Sequence, residues 1–203
     1  MVDFSRHGRR LARRALSRAG GALAIAALAA TTIAHTEELS PQALEYRVKA
    51  GFLYTFAKYV EWPPESFASP TNAIVIGIWG EDPFGKTLDA TVDGKAIDGR
   101  TIRIQRFQQV DEIGACHILF ISASEKDRLA VIQTRLRGRN ILTASDVDGF
   151  LQHGGQIQFV TEDNRVKFDI NLEATRQAGL KLDANLFRVA RRVVHHEDPA
   201  RTD

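Results

Sequence analysis

GFLQHGGQIQFVTEDNRVKFDINL, from Gly149 to Leu172, reads as two β-strands joined by a tight turn. In the first, Ile157 and Phe159 alternate with Gln156 and Gln158; in the second, Val166, Phe168 and Ile170 alternate with Arg165, Lys167, Asp169 and Asn171. Period-two alternation gives each strand one apolar and one wet face. Between them, Asp163-Asn164 supplies two residues that tolerate positive φ, as a two-residue hairpin turn requires. A lone hairpin is marginally stable in water, so this one must extend a larger sheet.

The preceding segments supply that sheet. Ala73–Trp79 (AIVIGIW) and His117–Ile121 (HILFI) are continuous apolar runs, expected of strands buried on both faces. Thr101–Phe107 alternates imperfectly, and Asn140–Thr143 reads as a further short strand. Helical stretches lie between them. Ser40-Pro41 is an N-cap followed by proline at the first helical position, opening a helix that runs to about Val60. Leu44, Val48, Phe52, Phe56 and Val60 recur along it every four residues, and its apolar character nearly all round implies cover on more than one side, by the sheet and either by a second subunit or partner or, in a central core helix, by the rest of the domain. Trp62-Pro63-Pro64 ends it, with Trp62 either an exposed anchor or a lid over the core. Further helices are expected over Lys86–Thr91, from Ser122 to Leu136, briefly from Ser145-Asp146, over Leu172–Gly179, and from Asp183 with Leu186, Phe187, Ala190, Val193 and Val194 inward. Strand–helix alternation favours a parallel sheet with right-handed crossovers. The predicted fold is therefore α/β, a three-layer α/β/α sandwich, mostly parallel, with a C-terminal antiparallel hairpin.

Composition narrows the function classes. The 203 residues are 44% hydrophobic and 26% charged, ordinary values for a globular chain. Residues 1–34 hold six arginines and one acid; 27 less 6 basic and 25 less 1 acidic side chains leave 21 against 24 in the remainder. Without a basic excess, nucleic-acid binding loses its electrostatic support. The arginine-rich start followed by Ala22–Ala34 (ALAIAALAATTIA) reads as an export signal with cleavage near Ala34, leaving a domain over 35–194 and a polar tail over 195–203. Arg13-Arg14 hints at a twin-arginine route.

Chemistry-bearing constellations are sparse. Cys116 is the single cysteine, so no intramolecular disulfide can form. His7, His35, His117, His153, His195 and His196 lack the spacing of a metal site. Ser122 and Ser124 follow a strand but without a GxSxG elbow, and no glycine-rich loop matches a phosphate cradle. No catalytic residue, metal or cofactor is assigned. A doubly wound sheet binds ligands at the carboxyl ends of its strands, where Gly80, Glu81, Asp82, Ser122, Ser124, Thr143 and Ser145 would stand in a small-ligand sensor or carrier.

The stretches VKAGFLYTFAKYVEWP (Val48–Pro63), GEDPFG (Gly80–Gly85), CHILFIS (Cys116–Ser122), ILTASDVDGFLQHGGQI (Ile141–Ile157) and VKFDINLEATRQAGLKLDANLFRVA (Val166–Ala190) together resemble the YfiR family of small exported bacterial proteins. The resemblance implies a periplasmic, non-enzymatic α/β protein, often a homodimer, that represses an inner-membrane diguanylate cyclase by engaging its periplasmic part. It further implies an outer-membrane peptidoglycan-binding lipoprotein that sequesters the repressor, with cyclic-di-GMP output and biofilm formation following. Members of the family often pair a cysteine in the first strand with one at the Cys116 position; here Gly77 occupies the first of these, which implies a lost bridge. The expected partner surface is an aromatic or apolar rim comprising Tyr59, Trp62, Phe150, Phe159, Glu162 and Ile170.

Overall fold

The computed structural model describes residues 40–195, so the expected leader and its cleavage point near Ala34 lie outside the described residues, as does the tail beyond His195. Helix α1 spans Pro41–Tyr59, with the Ser40 hydroxyl accepting the Ala43 N–H and Pro41 in the first turn. It ends in the two-residue strand β1 (Val60–Glu61). Then follow β2 (Ile74–Trp79), α2 (Lys86–Val92), β3 (Ala96–Ile97), β4 (Arg100–Phe107), β5 (Ile118–Ile121), α3 (Leu129–Leu136) and β6 (Leu142–Ser145). The chain closes with β7 (Ile157–Glu162), β8 (Arg165–Asn171), α4 (Leu172–Gln177), β9 (Lys181–Leu182), α5 (Ala184–Val189) and β10 (Arg192–Val194).

Eight strands form one sheet in the order β10-β8-β7-β6-β5-β2-β4-β3, while β1 and β9 pair separately. From β4 through β2, β5 and β6 to β7 all pairings are parallel, and this is the doubly wound order that reverses direction between β2 and β5. The β7–β8 hairpin is antiparallel, with Phe159 opposite Phe168 and Ile157 opposite Ile170. Its turn residues Asp163 (φ 50°) and Asn164 (φ 60°) both take positive φ, matching the right-handed strand twist.

Residues along β2 and β5 point alternately to two cores, and β6 turns Leu142 and Ala144 to the first of them. Ile76, Ile78, Ile118, Phe120, Leu142 and Ala144 pack under α1, α2 and α5. Trp79, Leu119 and Ile121 pack under α3 and the turn that carries Phe150 and Leu151. The result is helix on both faces of a mostly parallel sheet, as the strand–helix order predicts.

The structure corrects several details. Only residues Leu129–Leu136 of the Ser122–Leu136 segment are α-helical, and Ala123–Arg128 is a tighter 3-10 run. Strand β6 lies two residues later than the expected Asn140–Thr143. No helix starts at Ser145-Asp146; the Ser145 hydroxyl donates to the Ile121 carbonyl (2.7 Å) and accepts the Val147 N–H (3.2 Å), and turns follow as far as Gly154. Val193 and Val194 are not on the last helix. Helix α5 ends at Val189 and the chain extends into β10, parallel to β8 with Arg192 opposite Asp169.

The cause is a buried carboxylate. Asp169, with 1% of its side chain exposed, accepts from Arg191 Nε (2.8 Å) and Nη2 (2.5 Å) and from Arg192 Nη2 (2.8 Å). Burial alone would raise its pKa, but the hydrogen bonds from the two guanidinium groups outweigh burial and hold it below the ordinary value. The expected wet face of β8 is therefore buried in its second half, where Asp169 and Asn171 both lie inside.

The Gly77 position is close-packed. A Cβ built there would lie 2.8 Å from Cys116 Sγ and 2.6 Å from the Phe107 ring. The Cys116 thiol is buried and pushed up to about 12 by that burial, so it is inert as it stands. Gly77→Cys is expected to close a bridge to Cys116 under oxidising conditions, adding about 3–4 kcal/mol on chain-entropy grounds less the displacement of Phe107. Denaturant unfolding with and without reductant measures this; a variant that stays reduced would show that the two positions do not meet.

Candidate functional site

Helix α1 places its side chains on two unlike surfaces. Lys49, Ala50, Leu53, Phe56 and Ala57 are buried against the sheet. Leu44 and Val48, one turn apart, are 49% and 47% exposed. The every-four stripe read from the sequence is thus split: its N-terminal members face outward. Opposite them stands the tip of the β7–β8 hairpin. Between helix and hairpin runs a groove of about 600 Å³ lined by Leu44, Glu45 and Val48 on one side and Thr161, Arg165 and Val166 on the other.

Glu45 connects this groove to the interior. Lys49 is 2% exposed, and its ammonium lies 2.5 Å from Glu45 Oε1 and 2.5 Å from Asp146 Oδ2. The Tyr46 hydroxyl donates to the same Asp146 oxygen at 2.8 Å, and the Lys49 ammonium sits 4.3 Å from the centre of the Tyr46 ring. Burial first, and then the hydrogen bond to Asp146, push the Tyr46 phenol well above its ordinary range. A phenol held protonated beside a paired lysine is a poor general base; the group instead fastens α1 to the end of β6. On the hairpin side, Glu162 pairs with Lys167 (3.2 Å) and with Arg191. The hydrogen bond from Lys167, with Arg191 behind it, holds the Glu162 carboxyl below its ordinary value.

Of the six residues expected at a partner rim, none lines this groove. Glu162 ends β7 next to the hairpin turn. Phe150, Phe159 and Ile170 are core side chains, exposed by no more than 2%. Phe150 is drawn inward because Gly155 leaves room for its ring: a Cβ at Gly155 would come within 2.3 Å of it. Tyr59 and Trp62 are half-buried at the opposite end of α1, about 22 Å along the helix from Leu44. Trp62 proves to be a lid, its indole N–H donating to the His117 carbonyl at 3.2 Å.

Most polar residues at the carboxyl ends of the strands already have partners, the exposed Glu81 carboxylate excepted. Ser124 Oγ accepts the Glu81 N–H (3.0 Å), Ser122 Oγ accepts the Ser124 N–H (3.4 Å), and Asp82 accepts from Arg106 (2.7 Å) and from the Phe84 N–H (2.8 Å). Thr143 donates to Gln156 Oε1 (2.5 Å) inside the sheet. Gly80, at φ 91°, sits so close to Ser124 that a Cβ would lie 2.5 Å from its hydroxyl oxygen. Among the described residues no group of three His, Cys, Asp or Glu is placed to hold a metal ion, and no helix is long and apolar enough to cross a membrane.

Sequence reasoning missed Lys49, Asp146, Asp169 and the Arg191–Arg192 pair. Lys49 had a signal: it occupies a buried-stripe position of α1, four residues after Glu45.

The doubly wound sheet thus has its strand-end hydroxyls engaged internally and an apolar groove open beside α1. Comparison with known proteins narrows the class. The chain belongs to the YfiR/HmsC-like family (DUF4154), which matches residues 46–191. That family is one of periplasmic regulators of cyclic-di-GMP signalling. No curated protein matches the chain. Among solved structures, it is similar to an ABC domain in complex with L-Trp from Streptococcus pneumonia at 11% identity and a TM-score of 0.48, over 76% of this chain. The chain spans 60% of that structure's length.

Lys49→Ala would leave Glu45 and Asp146 facing each other without their cation. It is expected to cost about 3–5 kcal/mol in chemical denaturation, whereas Lys49→Met, which keeps the packing stem, should cost less. Equal losses would mean that the whole effect comes from the ammonium and that the packing of the stem contributes nothing.

Proposed function

We propose that this chain is a non-enzymatic periplasmic repressor that binds the periplasmic part of an inner-membrane signalling protein, a diguanylate cyclase by preference, and holds its output down. The observation that carries the reading is the pairing of family membership with the exposed Leu44–Val48 ridge facing the hairpin across an open groove. Exposed apolar side chains rimmed by charge mark protein contact surfaces. Glu45 and Arg165 supply that charged rim. The same surface would serve a second copy of the chain or a peptidoglycan-binding lipoprotein of the outer membrane, competing with the cyclase for the repressor. Since the strand-end hydroxyls are internally bonded, the small-ligand carrier reading has less support.

Deleting the gene is expected to raise cellular cyclic-di-GMP several-fold, and re-expression to lower it again. Leu44→Asp with Val48→Asp should fold normally, since both side chains are half in water already, yet fail to restore repression. Unchanged cyclic-di-GMP on deletion would sink the repressor reading; full restoration by the double variant would sink the choice of surface.

A further inference from the structure

His117 stands at the N-terminal edge of the sheet, one residue before β5, with 3% of its surface exposed. Its Nδ1 accepts the Val75 N–H at 3.0 Å, which sets the neutral ring with its proton on Nε2. Nε2 makes no hydrogen bond of normal geometry. Phe67 stacks on the ring (4.4 Å, 23°) and Trp62 meets it edge-on (5.8 Å, 83°). Arg100 in turn lies 3.8 Å from the centre of the Phe67 ring and donates to the carbonyls of Ser69 (3.0 Å) and Asn72 (2.9 Å). The segment from Trp62 to Asn72, which joins the end of α1 to β2, is thus laid over one imidazole and pinned from outside by one guanidinium.

A second proton on His117 has nowhere to go while this arrangement stands. It would sit on Nδ1 and point at the Val75 N–H, donor against donor. The charged group acting on the ring from the sheet is Arg100 on β4, beyond β2, and it is itself a cation. The carboxylates on the covering segment, Glu61 and Glu65, are exposed. The backbone of Ser66 favours the charged ring, but by less than burial opposes it. An imidazolium must therefore reach water, and the side that can move is the half-exposed covering segment rather than the sheet.

We propose that His117 is a proton-sensitive latch: in mild acid the ring charges, the Trp62–Asn72 segment lifts, and Trp62, Phe67 and the C-terminal end of α1 become accessible. The latch stands on its own geometry; on the reading above, a protein outside the inner membrane would meet external pH directly. The sign follows from burial, which lowers the pKa of the closed ring below its ordinary value. The closed state is fully favoured above about pH 6.5 and loses ground as pH falls, its open fraction rising up to about tenfold per pH unit until the closed ring itself titrates.

Hydrogen–deuterium exchange of the exported chain, corrected for intrinsic rates, tests this between pH 7.5 and 4.5 as chosen settings of about those values. Protection over residues 62–72 should fall with acid in the wild type, while β5 and β6 stay protected. In His117→Gln, whose amide oxygen can still accept the Val75 N–H but cannot titrate, protection should not depend on pH. An identical acid loss in His117→Gln, or no loss in the wild type, overturns the proposal. If that variant does not fold, an imidazole titration of the wild type by NMR decides: a pKa at or above about 6.5 with the segment still protected overturns the latch, and a lower pKa coinciding with loss of Trp62 indole protection supports it.

Discussion

Strands β2 and β5 carry apolar side chains on both faces, and both faces must leave water. Ile76, Ile118 and Phe120 on one side and Trp79, Leu119 and Ile121 on the other cannot be covered by one layer of helix. At roughly 1.5–3 kcal/mol per large side chain withdrawn from water, this two-sided demand outweighs any local preference along the connections. The crossovers go to either face because the strands require it, and their right-handedness then sets the strand order. Helix α1, the longest element described, takes the larger core with Leu53, Phe56 and Ala57.

Within that frame, charge is placed where separate segments must meet. Lys49 ties α1 to the end of β6 through Asp146, and Asp169 ties β8 to the last strand through Arg191 and Arg192. Buried ion pairs are weak contributors to net stability because desolvation cancels much of their attraction. Their value lies in register: a one-residue slip of β10 against β8 would move Arg192 away from Asp169, and the orphaned carboxylate would be costly. Internal bonding of the serines near the strand ends has a related result. It rigidifies the edge where doubly wound sheets hold ligands, whereas the groove beside α1 stays open among the described residues.

Much of this was legible in the residues. Period-two alternation from Ile157 to Ile170 and the Asp163-Asn164 turn specify the hairpin; apolar runs at Ile74–Trp79 and Ile118–Ile121 specify buried parallel strands; Ser40-Pro41 specifies the start of α1. Where reading failed, long-range packing prevailed. Arg191-Arg192-Val193-Val194 continues a helical pattern locally, and becomes a strand because a carboxylate twenty-two residues earlier captures its arginines. Phe150 looks like a loop aromatic until Gly155 is seen to make room for it. A spacing of four residues does not distinguish the buried from the exposed side of a helix that is apolar nearly all round, so Leu44 and Val48 were grouped with Phe56 although they face away from it. Phe159 and Ile170, expected at a partner rim, lie in the core, because apolar character alone does not tell a core from an interface.

The parallel docking of β10 onto β8 makes the end of the chain a stakeholder in its middle. A polypeptide cut short after α4 would keep all five parallel strands of the doubly wound unit, yet present β8 as a bare ladder of N–H and C=O groups with an anionic side chain stranded beside it. Loss of the segment that carries β10 is therefore not a trimming of loose thread. It turns a finished sheet into a template for whatever strand comes next.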